Sequence, residues 1–186
     1  MSHRMPESAA PRGEVAALVA VQSVLAGRPG VLTAARGLSH FGEHSIGWVA
    51  VALVGAVLMP RRRREWLVAG AGAFAAHAAA VLVKRVVRRP RPSDPAVAVN
   101  VGTPSQLSFP SAHATSTTAA AILMGRATGL PKGLGAALLV PPMALSRVLL
   151  GVHYPSDVAF GVALGAAVAG VAAGLEGRLL PGGVAE

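Results

Sequence analysis

The feature that most restricts this chain is an 18-residue stretch, Trp66–Val83, with no Asp, Glu, Lys or Arg in it. As an α-helix it is about 27 Å long, close to the ~30 Å hydrocarbon thickness of a bilayer. Four further segments resemble it: Ser45–Met59, Ala112–Thr128, Gly133–Leu150 and Asp157–Leu175. All are rich in Ala, Gly and Val, and small residues let helices in lipid approach closely. Only 13% of residues are charged, about half the ~25% usual in soluble domains. Apolar side chains in such excess must face something other than water, and lipid meets that need. No alternation of period two is sustained, which argues against a membrane barrel. The predicted fold class is therefore an all-α integral membrane protein, a compact bundle of five transmembrane helices.

Two weaker segments precede the bundle. Glu14–Ala26 and Val31–His40 are expected as helices lying at the interface or packed on the bundle. The apolar part of the first, Val15–Ala26, has about 12 residues and is too short to cross alone. A distorted crossing helix, giving six spans, is the alternative. The expected organisation is a flexible tail over 1–13, N-terminal helices over 14–44, a transmembrane core over 45–178 and a C-terminal tail over 179–186.

The chain carries 17 Lys and Arg against 8 Asp and Glu, a formal charge of +9. Such an excess invites a nucleic-acid reading. The cations, however, come in short blocks between apolar runs, and aromatic residues for base stacking make up only 4%. No nucleic-acid partner is expected. Cysteine is absent, so thiolate metal sites and cysteine catalysis are excluded. Arg61–Arg64 joins the first two strong spans and, by the positive-inside rule, belongs on the cytoplasmic side with Arg126, Lys132 and Arg178. Lys84–Pro110 and Ser146–Asp157 then share the outer side, where Lys84, Arg85, Arg88, Arg89 and Arg91 break that rule. Chemistry explains such an exception better than chance.

That outer face gathers cations, two histidines and a carboxylate at helix ends. Clustered guanidinium groups and a lysine imply an anion with several oxygens. Ser111 stands where an N-cap belongs, so the first amides of its helix can also face the anion. His153 and Asp157 flank Pro155, which suits a first helical turn. A carboxylate four residues beyond a histidine can hold one ring N–H, leaving the other nitrogen to attack phosphorus. His113, on another helix, can protonate the departing oxygen. Lys84, Arg91 and Arg147 would neutralise the phosphoryl oxygens. The pattern reads as phosphoryl transfer through a phosphohistidine, completed by water.

Three motifs in order carry a family resemblance: Lys84 with Arg91-Pro92, then Pro110-Ser111-Ala112-His113, then Ser146-Arg147 with His153 and Asp157. Together they resemble the signature of the type-2 phosphatidic acid phosphatase superfamily, the lipid phosphate phosphatases, over about residues 40 to 175. The resemblance implies hydrolysis of a lipid phosphomonoester or diphosphate without metal or other cofactor. It makes His153 the nucleophile, Asp157 its partner, His113 the general acid, and Lys84, Arg91, Ser111, Arg147 and Ser146 the phosphate ligands. Ala112 replaces the family's usual glycine, which narrows the pocket by a methyl group and leaves the chemical groups in place. Ser105–Phe109, leading into the second motif, together with the short Ala-rich chain, resembles the small actinobacterial branch. The implied substrate there is a polyprenylphosphoryl sugar phosphate, decaprenylphosphoryl-5-phosphoribose, in cell-wall precursor synthesis. Polyprenyl diphosphate, phosphatidylglycerophosphate and phosphatidic acid are the alternatives. The implied place is the cytoplasmic membrane, with the site on the extracytoplasmic face.

Blander readings apply elsewhere. Arg61–Arg64 is a topology determinant. Arg85, Arg88 and Arg89 read as solvated or touching headgroups. His77, inside a span, reads as a neutral ring bonded to a neighbouring helix. His40, Glu43 and His44 do not fix a metal geometry, and no metal is expected there; His40 and His44 are candidates to touch a substrate headgroup. An anionic-lipid transporter would use a similar basic pocket, but the internal repeats that such folds carry are not visible in this sequence.

Overall fold

Runs of Ala, Leu and Val without interior charge favour helix, and prolines and glycines punctuate them. In the computed structural model residues 12–179 are described, and their regular structure is helical. The elements are α1 (Gly13–Leu25), α2 (Val31–Phe41), α3 (Ile46–Leu58), α4 (Arg63–Val87), α5 (Ala112–Ala127), α6 (Leu134–Leu149) and α7 (Pro155–Leu179). Short 3₁₀ turns, Glu43–Ser45 and Pro60–Arg62, precede α3 and α4. The described residues form no strand beyond one isolated bridge between Pro90 and Leu107. The two expected tails fall almost wholly outside the described residues; where they meet them, α1 already begins at Gly13 and α7 runs to Leu179.

The five segments expected to span are all helical, but their lengths differ from expectation. Among the described residues, only Pro60–Val87 and Pro155–Arg178 are long and apolar enough to cross a membrane individually. α2 and α3 pass together as one path bent by 51°, which would make a third. α3 alone has 13 residues, about 20 Å. Helix α4 extends past the apolar run at both ends, because long basic side chains can hold a helix end in the headgroup layer.

Helix α5 is the axis of the bundle, packed between α4, α6 and α7. Nearly all its side chains are buried, and most are Ala, Ser or Thr. Its neighbours meet it with glycine. A Cβ at Gly165 of α7 would lie 2.3 Å from the Thr115 carbonyl oxygen, and one at Gly161 would lie 2.7 Å from that of Ser111. One at Gly135 of α6 would lie 2.5 Å from the Ala121 oxygen. This spacing of small residues brings backbones into contact, the packing mode available where lipid removes the hydrophobic drive. Trp48 and Trp66 fill the space beside α5 with Ala52, Ala69 and Ala73. Trp48 Nε1 donates to Thr117 Oγ1 at 3.1 Å. The outward faces stay apolar: Val57, Phe74, Leu82 and Val171 are all at least 60% exposed.

The two ends of the bundle differ. At one, Arg62 donates to the Arg126 carbonyl at 3.1 Å, Arg64 to that of Glu176 at 2.9 Å, and Arg126 pairs with the Glu176 carboxylate at 3.7 Å. Cations thus sit against the C-terminal ends of α5 and α7, where the helix dipoles favour them. At the other end lie the last turns of α4 and α6 and the first turns of α5 and α7. The 88–110 connection and α1 cover it; Gln22 of α1 bonds the Ala98 backbone at both its N–H and its carbonyl, and also the Leu149 carbonyl.

Candidate active site

Each helix end at that face presents a side chain by an identifiable local device. Helix α6 closes in a Schellman motif: Gly151 N donates to Val148 O and Val152 N to Arg147 O, with Gly151 at φ +72. A Cβ at Gly151 would also sit 2.3 Å from the Ala98 oxygen, so glycine is required twice over. The turn delivers His153. Pro155 then opens α7, and Asp157 Oδ2 accepts from Tyr154 N at 2.9 Å, half of a capping box. Asp157 is thus a helix cap as well as the neighbour of His153. Ser111 caps α5 through Ala114 N at 3.4 Å, and its own N–H donates to the Asp157 carbonyl at 3.0 Å. The second and third motifs are thereby tied backbone to backbone.

Lys84, Arg91, His113, Arg147 and His153 all line one cavity of about 710 Å³. Lys84 Nζ donates to the Leu107 and Ser108 carbonyls at 3.0 and 2.8 Å. Arg91 donates from Nε to Ser105 O at 2.8 Å and from Nη1 to Val152 O at 2.6 Å. The same Nη1 lies 3.3 Å from His153 Nε2. A guanidinium can only donate, so His153 Nε2 carries its lone pair and the ring proton is on Nδ1. Nδ1 lies 3.6 Å from Asp157 Oδ2 and has no hydrogen-bond partner among the described residues. Burial, opposed by Asp157 and reinforced by Arg91, Lys84 and Arg147, pushes the His153 imidazole down to about 3. It is therefore neutral at physiological pH. Burial also lowers Arg91, to about 10 against the opposing charge of Asp157, which leaves it cationic.

His113 Nε2 lies 2.9 Å from the Ser39 carbonyl, an acceptor only, so that nitrogen holds the proton and Nδ1 is the free one. Arg147 donates from Nε to Ser146 Oγ and from Nη1 to Ser39 Oγ, both at 3.1 Å. Its buried Nη2 has no partner among the described residues. Buried orphan donors are rare, and this one belongs to a cation lining the cavity.

Two expected phosphate ligands are placed differently. Ser111 is fully buried outside the cavity lining, its oxygen used in the cap. Ser146 is also outside it: its hydroxyl donates to Met143 O at 2.7 Å and accepts from Arg147, so it holds that guanidinium. Ala112 does face the cavity. His40 and His44 line it too, His40 being largely exposed beside Glu43 at 3.8 Å. His77 departs from expectation: Nδ1 has no partner among the described residues, and the ring faces the cavity and His44.

Arg89 is more than a solvated cation. It donates to Asp157 Oδ1 at 2.8 Å, Ser156 Oγ at 2.7 Å and Glu14 Oε2 at 2.7 Å, and its guanidinium lies 4.1 Å from the centroid of the Tyr154 ring. Glu14 Oε1 in turn accepts from Ser156 N at 2.8 Å. The sequence marks Glu14 only as a charge at the start of an apolar run. Ser39 and Gly42 carry no signal at all, yet Ser39 bonds both His113 and Arg147. A Cβ at Gly42 would lie 2.8 Å from His113 Cδ2.

The chain is similar to known proteins. The model of the PAP2 superfamily matches residues 65–179, well over half of the chain. The chain belongs to the PAP2 superfamily. Decaprenylphosphoryl-5-phosphoribose phosphatase of Mycobacterium tuberculosis is 76% identical over 162 residues, 87% of this chain and 90% of that protein. The protein of the same name from Mycolicibacterium smegmatis is 72% identical over 154 residues, 83% of this chain and 84% of its own. With such relatives this PAP2 member is a phosphoric-ester hydrolase, as the three motifs imply. The crystal structure of a transmembrane PAP2-type phosphatidylglycerolphosphate phosphatase from Bacillus subtilis superposes with a TM-score of 0.67. It is 20% identical, and the match covers 88% of this chain and 86% of that one. That likeness shows a shared membrane-protein fold.

Proposed function

We propose that this chain hydrolyses the terminal phosphate of decaprenylphosphoryl-5-phosphoribose, or a close polyprenylphosphoryl sugar phosphate, through a phosphohistidine on His153. The observation that carries the mechanism is the state of that ring: neutral, proton on Nδ1 toward Asp157, lone pair on Nε2 beside Arg91. The substrate rests on the names of the relatives at 76% and 72% identity.

The steps follow from the geometry. An arriving phosphate takes the Arg91 N–H groups from His153 Nε2 and meets Lys84 and the free Nη2 of Arg147. Nε2 attacks phosphorus in line, and the bond from phosphorus to the substrate oxygen breaks. His113 Nδ1, unprotonated at rest, takes the proton that the phosphate monoanion brings and passes it to that oxygen. The imidazole gains positive charge as the P–N bond forms, which draws Nδ1–H and Asp157 together. Water then attacks phosphorus, its proton passing through His113 Nδ1 to the phosphate, which leaves with both histidines restored. Fixed cations in a partly dehydrated pocket stabilise the pentacoordinate charge. These residues supply every proton transfer and charge contact, so neither metal nor cofactor is required.

Helices α3–α7 form the transmembrane bundle, with α1 and α2 packed on its outer end. The Arg61–Arg64 turn faces the cytoplasm and the cavity the extracytoplasmic side of the cytoplasmic membrane. Three of the five cations that break the positive-inside rule are used in the site: Lys84, Arg89 and Arg91 bond Leu107, Asp157 and Val152.

The test is phosphate release by the purified protein in detergent with a chelator present. The panel contains a polyprenylphosphoryl pentose phosphate, polyprenyl diphosphate, phosphatidylglycerophosphate and phosphatidic acid. The pentose phosphate is expected to give the highest kcat/KM. A higher value for a glycerolipid overturns the substrate, and release that requires added divalent metal overturns the mechanism.

A further inference from the structure

The cavity is larger than a phosphate requires, and its wall changes character along its length. Around His153 it is cationic. His77 lies seven residues before Lys84 on α4, hence on the same face and about 10 Å deeper in the bundle. Its Nδ1 is buried and has no bonding partner among the described residues. The His44 ring lies 5.8 Å from it, centroid to centroid. His44 and Ser45 adopt φ +50 and +64, two consecutive non-glycine residues in left-handed conformation. They do so at the break where α2 and α3 meet at 51°. Conformations of this kind persist where the surroundings impose them, commonly at binding sites. Glu43, next in sequence, lines the same cavity.

The donor and acceptor pattern selects a ligand. An ionised carboxylate accepts only. In a pocket for a phosphate dianion it repels the ligand unless the ligand also presents donors. An imidazole ring can offer a donor and an acceptor. Hydroxyl groups match both kinds of partner, because each can give and accept; a second phosphate, an acceptor itself, does not match the carboxylate. The position agrees. A headgroup joining the terminal phosphate to a lipid anchor must lie on the membrane side of the reacting phosphorus, where His77 sits relative to Lys84.

We infer that His77, His44 and Glu43 form a headgroup subsite that binds the hydroxyls of a sugar ring esterified to the reacting phosphate. The subsite rests on the proposed function and adds the residues that recognise the sugar.

The experiment uses the full chain in detergent micelles and two substrates of equal chain length, a polyprenylphosphoryl pentose 5-phosphate and a plain polyprenyl monophosphate. The readout is the ratio of their kcat/KM values. His77→Phe and Glu43→Gln are each expected to lower that ratio at least tenfold, mainly by raising KM for the sugar substrate. Equal loss on both substrates, or no change on either, overturns the subsite. Should His77→Phe not fold, Glu43→Gln carries the test, since its position is partly exposed. If Glu43→Gln is faster on both substrates, the carboxylate only repels phosphate and the subsite is wrong. A wild-type protein without preference for the pentose phosphate overturns the proposed substrate and the subsite together. A wild-type preference that both variants retain overturns the subsite alone.

Discussion

Asp157 sits at the junction of two loyalties. One oxygen caps α7 through Tyr154 N, the other takes Arg89, and His153 Nδ1 waits 3.6 Å away. Glu14 shares Arg89, so its charge limits how far that guanidinium neutralises Asp157. Removing it leaves the whole Arg89 charge on Asp157 and weakens the pull on the His153 proton. Glu14→Gln is expected to lower kcat about tenfold, with KM changed less than twofold; a KM effect alone would place Glu14 in substrate binding instead. The buried ring has a further consequence. An unfolded chain protonates His153 near its ordinary pKa of 6.5, whereas the folded chain resists until about 3. Above pH 6.5 the ring costs no stability, and below it stability falls by up to about 1.4 kcal/mol per pH unit. Between pH 6.5 and 4, the melting temperature of His153→Gln should fall less than that of the wild type. Parallel curves would mean that the ring is not held neutral. At this scale the motif residues were legible because a phosphate site uses cations, imidazoles and a carboxylate, and because their order along the chain resembles a family signature. Glu14, Ser39 and Arg89 were not, since each matters only through a partner distant in sequence, such as Asp157 for Arg89, 68 positions along the chain.

Helix packing depends on absent side chains. Gly161 and Gly165 let α7 touch the backbone of α5, whose first turn positions His113 and whose cap is tied to Asp157. Gly165→Leu must push the two helices apart and is expected to cost about 3 kcal/mol, read as a lower denaturation midpoint in detergent. Activity should fall with it, because the two histidines separate. An unchanged midpoint would contradict the close approach. Element boundaries were readable where Pro60, Pro155 and the glycine after α6 interrupt the pattern. Lengths were not: hydropathy marks the lipid-facing part of a helix, and α4 continues beyond it on basic residues. The break at His44 and Ser45 was also hidden, since nothing in those residue types calls for a left-handed backbone.

Over the whole molecule, the cations divide into two groups with different work. Arg62, Arg64 and Arg126 brace the C-terminal ends of α5 and α7 around Glu176. Lys84, Arg91 and Arg147 gather at the opposite end, from two separate parts of the chain, around His153. The sequence already separated these groups through the alternation of basic blocks and apolar runs. How α1 covers this end and α2 lines the cavity was not visible, because Gln22 bonds backbone carbonyls and Ser39 meets His113 through its own, contacts that no side-chain pattern announces.

The most direct measurement is rapid acid-free quenching of the purified enzyme during turnover of a terminally ³²P-labelled polyprenylphosphoryl pentose phosphate. The account predicts a base-stable, acid-labile phosphoenzyme that maps to the peptide containing His153, is absent in His153→Ala and builds up in a variant lacking His113. Label on another residue, or sustained turnover by His153→Ala, would contradict it.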